Sequence, residues 1–155
     1  MTAIDMSEVA GRVLIDEARE AARHAYAPYS RFAVGAALLL ADGSVVRGAN
    51  FENASHGLSL CAETVALAAA NTAGRLRDVV AIGVVGGAMA AGGGIEGDAP
   101  VRPCGRCRQM LSEAAQAGGR DIVVHCASAD GGVVERHMLS HLLPLAFGPA
   151  DLGLH

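Results

Sequence analysis

The sequence predicts a layered α/β domain with a mixed five-stranded sheet, and three observations support this prediction. The chain has 155 residues, a length that suits one domain with one sizeable hydrophobic core. Hydrophobic residues make up 52% of the chain and charged residues 18%, a composition typical of folded proteins. Strand-like segments alternate with helix-like segments, and no repeat or linker divides them. We therefore predict a single domain over residues 1–155.

The first half of the chain is predicted to form a helix, a hairpin and a second helix. Apolar residues at helical spacing predict the first helix over 7–25. Two apolar runs, 33–41 and 44–49, flank Asp42-Gly43, a dipeptide that favours a tight turn between paired strands. The alanine-rich segment 61–73 predicts the second helix.

The second half of the chain is predicted to supply the rest of the sheet and two more helices. The apolar run 78–85 predicts a buried strand, and the glycine-rich segment 86–98 predicts a mobile loop without a phosphate-binding pattern. Gly118 and Gly119 would end a helix over 105–117. The remaining predicted segments are strands over 121–127 and 133–136 and a short helix over 137–143.

Two cysteine clusters are the main functional signal, Cys61-Ala62-Glu63 and Pro103-Cys104-Gly105-Arg106-Cys107. Both clusters fall where a predicted loop enters a helix. The free N–H groups and partial positive charge of a helix N-terminus favour the thiolate form of cysteine, which is the form that binds metals. Cys104 and Cys107 are three residues apart and would face the same way on a first helical turn. Folding would have to bring Cys61 to them.

Three thiols and one uncommitted carboxylate favour a catalytic zinc site. A zinc ion with three protein ligands keeps a fourth position open for water, and Glu63 could carry the proton that such water gives up. A Cys-x-x-Cys pair alone would also fit a redox site or plain burial, so the combination with Cys-Ala-Glu decides the interpretation. A non-catalytic zinc-binding module stays open as an alternative, although such a module has no need of Glu63.

Composition and charge argue against several other classes of protein. The net charge is −4 and aromatic residues make up 3%, so neither a basic groove nor a stacking platform for a nucleic-acid polymer is expected. Residues 1–8 lack the features of a signal peptide, and no apolar run has the length of a membrane span. We therefore predict a cytoplasmic protein without membrane or nucleic-acid partners, where cysteine pairs more often bind metal than form disulfides.

The sequence resembles the small homotetrameric cytidine deaminases that use three cysteines as zinc ligands. The segments that carry the resemblance are 25–38 (AYAPYSRFAVGAAL), 48–55 (GANFENAS), 61–63 (CAE), 103–109 (PCGRCRQ) and 142–152 (LLPLAFGPADL). The resemblance implies a three-layer α/β/α sandwich. It also implies zinc-dependent hydrolysis of cytidine or deoxycytidine to uridine or deoxyuridine with release of ammonia, in pyrimidine salvage. Zinc deaminases share a Pro-Cys-x-x-Cys signature and a conserved glutamate that acts as general acid and base.

The resemblance also assigns the metal-binding and catalytic residues. It implies that Cys61, Cys104 and Cys107 hold the zinc ion. Glu63 would take a proton from the activated water and deliver it first to the ring N3 of cytosine and then to the leaving amine.

The same resemblance assigns five substrate contacts. Asn50 and Glu52 would hold the ribose hydroxyls, and Phe32 would form a wall beside the base. The backbone of Ala62 would face the pyrimidine carbonyl. Phe147 would enter the active site of a neighbouring subunit in the homotetramer.

Three departures from the family pattern leave substrate scope open. Thr64 stands where the family has Arg directly after the catalytic glutamate, so Arg108 and the helix N-termini would have to compensate the charge of three thiolates. His56 stands where a tyrosine is common, and the 86–98 segment is longer and richer in glycine than usual. A deaminase of a 5-substituted cytidine or of a blasticidin-like antibiotic is therefore the alternative within the enzymes.

Overall fold

The structure is a computed structural model that describes residues 6–154 of the chain. Its helices are α1 (Met6–Ala22), α2 (Ala62–Thr72), α3 (Gly105–Gly118) and α4 (Leu139–Leu142). Its strands are β1 (Phe32–Leu40), β2 (Val45–Ala49), β3 (Val79–Met89), β4 (Ile95–Glu96), β5 (Val123–Ser128) and β6 (Val134–Met138). Short 3-10 turns lie at His56–Leu58, Leu76–Asp78 and Pro149–Leu152.

The strands form one mixed sheet in the order β2-β1-β3-β5-β6, with β4 paired to the end of β3. Only the β3–β5 pair is parallel among these strands, and it is connected through α3. The β1–β2 hairpin turns at Asp42-Gly43, where Gly43 has a φ of 89° that favours glycine. The predicted mixed sheet is confirmed, with β4 as a sixth, two-residue strand.

Helices cover both faces of the sheet, which gives the three layers that the family resemblance implied. Leu14, Ile15 and Ala18 of α1 pack on one face, against a group of buried sheet residues. Helices α2 and α3 pack on the opposite face, where Leu67 and Leu111 join the larger core cluster. Burial of each leucine or isoleucine among them contributes on the order of 1.5–3 kcal/mol, so both faces of the sheet stabilise the fold.

The first turn of α2 lies against β2 with no side chain between the two backbones. A Cβ atom added at Gly48 would stand 2.4 Å from the Ala62 carbonyl oxygen and 2.5 Å from the Ala66 nitrogen. Such distances exclude any larger residue without movement of the helix. Gly48 therefore fixes how closely the start of α2 approaches the sheet.

Two boundaries differ from the predicted ones because sheet pairing overrides local pattern. The glycine-rich segment predicted as a loop over 86–98 is partly strand, since β3 continues to Met89 and β4 follows. Gly86 and Gly87 pair with β1, and a Cβ at Gly87 would meet the Glu96 oxygen at 2.4 Å. At the C-terminal end, β6 continues through Met138, so the helix predicted over 137–143 is reduced to the four residues of α4.

The other elements lie close to their predicted positions. Helix α1 ends at Ala22, three residues before the predicted end, and α3 ends at Gly118 with the left-handed Gly119 as its cap. Within the described residues, no helix is both long enough and apolar enough to cross a membrane.

Candidate metal centre and substrate cavity

The two cysteine clusters lie at the N-termini of α2 and α3. Cys61 and Cys104 are the residues directly before each helix, both in an extended conformation, and neither side chain caps its helix. Their carbonyl oxygens accept the first helical hydrogen bonds, from Val65 N at 3.1 Å and Arg108 N at 2.9 Å. Both thiols are therefore free to point at a ligand beside two helix N-termini.

The fold brings Cys61, Cys104 and Cys107 together in one cluster. Their sulfur atoms all lie within 4.8 Å of one another, and Cys61 Sγ is 3.8 Å from Cys104 Sγ. Zinc–thiolate bonds of about 2.3 Å at tetrahedral angles place two sulfurs about 3.8 Å apart. The spacing and chemistry of these donors therefore fit a zinc ion with three thiolate ligands.

The thiols of the cluster polarise one another. The pKa of Cys61 is lowered to about 6, first by a hydrogen bond from Cys107 and further by Cys104 and the positive charge of Arg106. The same interaction raises the pKa of Cys107, and burial raises it further. The cluster thus favours the thiolate form of Cys61, which is the form that binds a metal cation.

Glu63 lies next to the thiols without belonging to their cluster. Its side chain is buried, and its Oε2 accepts a hydrogen bond from Cys107 Sγ at 3.5 Å. Burial is the main cause that raises the pKa of Glu63, and the charge of Cys61 adds to the effect. A carboxyl group in this setting can hold a proton and release it to a nearby atom.

Cys61, Cys104 and Glu63 line a cavity of about 340 Å³. Its lining residues are Ser30, Phe32, Val34, Asn50, Glu52, Ser59, Leu60, Cys61, Ala62, Glu63, Val101, Arg102 and Cys104. Four of the five predicted substrate contacts, Phe32, Asn50, Glu52 and Ala62, are among them. The cavity is large enough for a small molecule of nucleoside size.

Glu52 and Asn50 are both held in place by the backbone that leads into β1. The Glu52 carboxylate accepts hydrogen bonds from Ser30 N at 3.2 Å and from Ser30 Oγ at 2.9 Å. The Asn50 amide accepts from Val34 N and donates to the Phe32 carbonyl, both at 2.9 Å. Each side chain keeps hydrogen-bonding capacity for a ligand, because a carboxylate accepts at two oxygens and an amide nitrogen has two hydrogens.

Thr64 and Arg108 lie near the thiols but outside the cavity lining. The buried Thr64 hydroxyl is 3.7 Å from Cys107 Sγ. Arg108 donates from Nε to the Pro103 carbonyl at 2.8 Å and from Nη1 to the Leu142 carbonyl at 3.0 Å. The Arg108 guanidinium therefore braces the backbone directly before Cys104.

Phe147 does not reach the cavity of its own chain. Its side chain is 61% exposed, and its carbonyl accepts a hydrogen bond from Gln109 Nε2 at 2.8 Å. His56 is also exposed and makes an edge-on contact with the ring of Tyr29, with 5.7 Å between centroids.

Sequence reasoning did not single out several residues that line the cavity. Ser30 binds Glu52, and Val34, Val101 and Arg102 form parts of the wall. Ser30 lies inside a segment that carries the family resemblance, and Arg102 directly precedes the second cysteine cluster. Their position within or next to a recognised motif was the sequence signal that could have identified Ser30 and Arg102 as residues of the site.

The donor set and the cavity are those of a zinc-dependent hydrolytic enzyme, because the buried carboxyl group beside the three thiols is free to move protons. Comparison with known proteins identifies the family. The sequence profile described as the cytidine and deoxycytidylate deaminase zinc-binding region matches residues 11–126. The chain belongs to this family of deaminases.

Similar proteins match nearly the whole chain. The cytidine deaminase of Halalkalibacterium halodurans is 49% identical over 92% of this chain and 97% of its own length. The cytidine deaminase of Mycobacterium tuberculosis is 43% identical over 95% of this chain and 96% of its own. The crystal structure of cytidine deaminase from Burkholderia pseudomallei superposes with a TM-score of 0.74 at 42% identity, over 88% of this chain and 98% of that one.

Proposed function

We propose that this chain is a zinc-dependent cytidine deaminase, which converts cytidine or deoxycytidine and water to uridine or deoxyuridine and ammonia. In this reaction a C4–O bond forms and the C4–N bond of the amine breaks. The observation that carries the proposal is the buried Glu63 carboxyl group beside three clustered thiols, in the lining of a cavity of nucleoside size. The similarity to cytidine deaminases over most of the chain supports it.

Cys61, Cys104 and Cys107 would hold the zinc ion at the two helix N-termini. When bound, zinc would supply Lewis-acid activation of water near neutral pH. The net negative charge of three thiolates opposes this effect. The partial positive charges of the helix N-termini would offset part of this negative charge, as would the guanidinium groups of Arg106 and Arg108 on α3.

Glu63 would act as the proton shuttle. It would accept a proton from the attacking water, pass it to ring N3 and then assist the departure of ammonia. The raised pKa of Glu63 suits this task, since a group that both accepts and donates protons works best with a pKa near the working pH. Burial supports the role because it keeps bulk water away from the transferred proton.

Asn50 and Glu52 would bind the ribose hydroxyls at the other side of the cavity. Ser30 and the backbone of β1 hold both side chains in fixed orientations, so little conformational freedom is lost on binding. Phe32 would flank the base, and the backbone of Ala62 would meet the pyrimidine carbonyl. Binding energy from the sugar would then help to orient C4 for attack.

A panel of cytosine nucleosides tests the proposed activity and its main alternative. The zinc-loaded protein is incubated with cytidine, deoxycytidine, a 5-substituted cytidine and blasticidin S, and ammonia release is measured. We expect fastest turnover of cytidine or deoxycytidine. Turnover of the modified compounds alone would favour the alternative substrate class, and no turnover of any compound by protein with a full zinc content would favour a non-catalytic module.

Glu52→Gln separates sugar recognition from catalysis in the same assay. We expect kcat/KM for cytidine to fall by about tenfold or more, since a hydrogen bond to a charged group contributes roughly 1.5–3 kcal/mol. Activity on free cytosine, which lacks the sugar, should change little. An equal loss on both substrates would remove Glu52 from the ribose site.

The proposal extends to a homotetramer with shared active sites. Exposed apolar side chains near the C-terminus support it, because apolar patches on a protein surface commonly mark contacts with other subunits. These residues are Leu145, Phe147, Leu152 and Leu154. Phe147 would enter the cavity of a neighbouring chain, and light scattering should give a mass of about four chains.

We further propose a cytoplasmic enzyme of pyrimidine salvage. Within the described residues the cysteines are free thiols, and the proposed zinc ligands must remain reduced. A reducing compartment meets that requirement.

A further inference from the structure

The wall of the cavity next to Cys104 is a loop with few backbone hydrogen bonds. Residues 97–104 form neither helix nor strand, and Val101, Arg102 and Cys104 of this segment line the cavity. Val101 N lies 3.5 Å from its acceptor, the Ala127 carbonyl oxygen, at the long limit for such a bond. Side chains must therefore hold this wall in position.

Arg102 anchors the wall to the edge strand of the sheet. Its Nε donates to Glu135 Oε2 at 2.9 Å, and its Nη2 donates to Glu135 Oε1, so the guanidinium binds the carboxylate through both oxygens. Such a two-pronged pair fixes orientation as well as distance. Arg102 is also the only positively charged side chain among the residues that line the cavity.

His137 also contacts Glu135, at the carboxylate oxygen that accepts from Arg102 Nε. Its Nε2 lies 2.7 Å from Glu135 Oε2, and the two residues are two apart on β6, so they share one face of the strand. Glu135 pairs in register with Cys126 and His137 with Val124, both buried in the core cluster on the α2 and α3 face. Glu135 thus lies on the face of β6 that α2 and α3 cover. From there it binds Arg102, in the loop that carries a proposed zinc ligand.

We propose that Glu135 is a positioning residue for the deamination, which holds the 101–104 wall against the substrate through Arg102. The inference rests on the proposed function, since it concerns the rate of that reaction. Glu135 neither lines the cavity nor hydrogen-bonds to Cys61, Cys104 or Cys107, so its effect on the reaction must pass through Arg102. His137 limits the movement of the Glu135 carboxylate and belongs to the same chain of contacts.

Glu135→Gln tests the proposal because the amide keeps the shape of the side chain but has one acceptor oxygen and no charge. We expect kcat for cytidine to fall by about 10- to 100-fold, since small misplacements of reacting groups have effects of this size. KM should change less than threefold, because Asn50 and Glu52 lie on a different wall. Zinc content should remain that of the wild type.

Glu17→Gln is the matched control. Glu17 pairs with Arg47 between α1 and β2, with side chains 31% and 50% exposed, compared with 22% and 49% for Glu135 and Arg102. Neither residue of the control pair lines the cavity. We expect a similar small change in melting temperature for both glutamate variants, and a change in kcat only for Glu135→Gln.

A double variant tests whether Glu135 acts through Arg102. If it does, Arg102→Gln with Glu135→Gln should lose no more activity than Arg102→Gln alone. His137→Gln, which keeps an N–H donor toward Glu135, should retain more activity than His137→Ala. The proposal would be overturned if the loss of activity in the double variant equalled the product of the two single losses. It would also be overturned if Glu135→Gln kept the wild-type kcat. An inactive wild-type protein would instead overturn the proposed function.

Discussion

The first turns of α2 and α3 begin alike and differ in nearly every other respect. Each helix starts directly after a cysteine in an extended conformation. The first turn of α2 is buried and carries the carboxyl group of Glu63, whereas α3 follows the exposed Cys104 and carries Arg106 and Arg108. One helix therefore contributes the group that can move protons, and the other contributes positive charge.

The difference explains how three negative ligands can surround one ion without a neighbouring cation on α2. Thr64 is neutral, so the compensating charges would have to come from α3 and from the two helix N-termini. The Sγ atoms of Cys61 and Cys104 lie 3.8 Å apart, between the acidic first turn of α2 and the basic first turn of α3. Variants on each side should therefore fail in different ways.

Cys104→Ala should have the largest effect, because it removes a zinc ligand from the α3 side. We expect loss of nearly all bound zinc and of nearly all activity, with a lower melting temperature, since metal binding is commonly coupled to folding. Metal analysis of the purified protein measures the first effect directly.

Cys126→Ala is the matched control for Cys104→Ala. Cys126 is a fully buried thiol on β5 outside the metal cluster. This variant should lose some stability through the small cavity it leaves but keep its zinc. Full zinc content in Cys104→Ala, or equal zinc loss in both variants, would contradict the ligand assignment.

Glu63→Gln should have the second largest effect, from the α2 side. We expect zinc content close to that of the wild type and a fall in kcat of about 10²- to 10⁴-fold, the usual contribution of a general acid–base group. Turnover within tenfold of the wild type would place the proton shuttle on another residue. The contrast with Cys104→Ala separates proton transfer from metal binding.

Thr64→Val should have the smallest effect and tests the contact between the two turns. The Thr64 hydroxyl can donate to the Cys107 thiolate, and a typical hydrogen bond contributes about 1 kcal/mol. We expect zinc affinity, measured by competition with a chelator, to fall by about fivefold. Thr64→Ser keeps the hydroxyl and should bind zinc as the wild type does. Equal affinities in all three proteins would mean that the hydroxyl does not stabilise the thiolate.

Much of the fold could be predicted because helix and strand periodicities are local properties of the chain. The exceptions are informative. Glycines at 86 and 87 suggest a loop, but both pair with β1, and the close approach of Glu96 leaves no room for a side chain at position 87. Likewise, His137 and His141 have helical spacing, yet pairing with β5 keeps His137 in β6. Pairing partners far along the chain decide such segments.

The metal cluster could be predicted because its residues lie in two short motifs with interpretable spacing. The structure places all three cysteines and Glu63 together. Ser30 and Arg102 were missed because neither residue has a pattern of its own, and each gains its position from a partner more than twenty residues away. The roles of Asn50, Glu52 and Phe147 remain predictions, and Glu52→Gln tests the second of them directly.

The backbone contact at Gly48 separates two kinds of mutational tolerance. Where side chains lie between a helix and the sheet, they set the spacing, so a changed leucine or valine alters packing and stability. At Gly48 the backbones of β2 and α2 touch, and repacking of distant side chains leaves the start of α2 where it is. A smaller side chain in the core therefore acts first on stability, whereas one methyl group at position 48 would displace the start of α2, and with it Cys61 and Glu63.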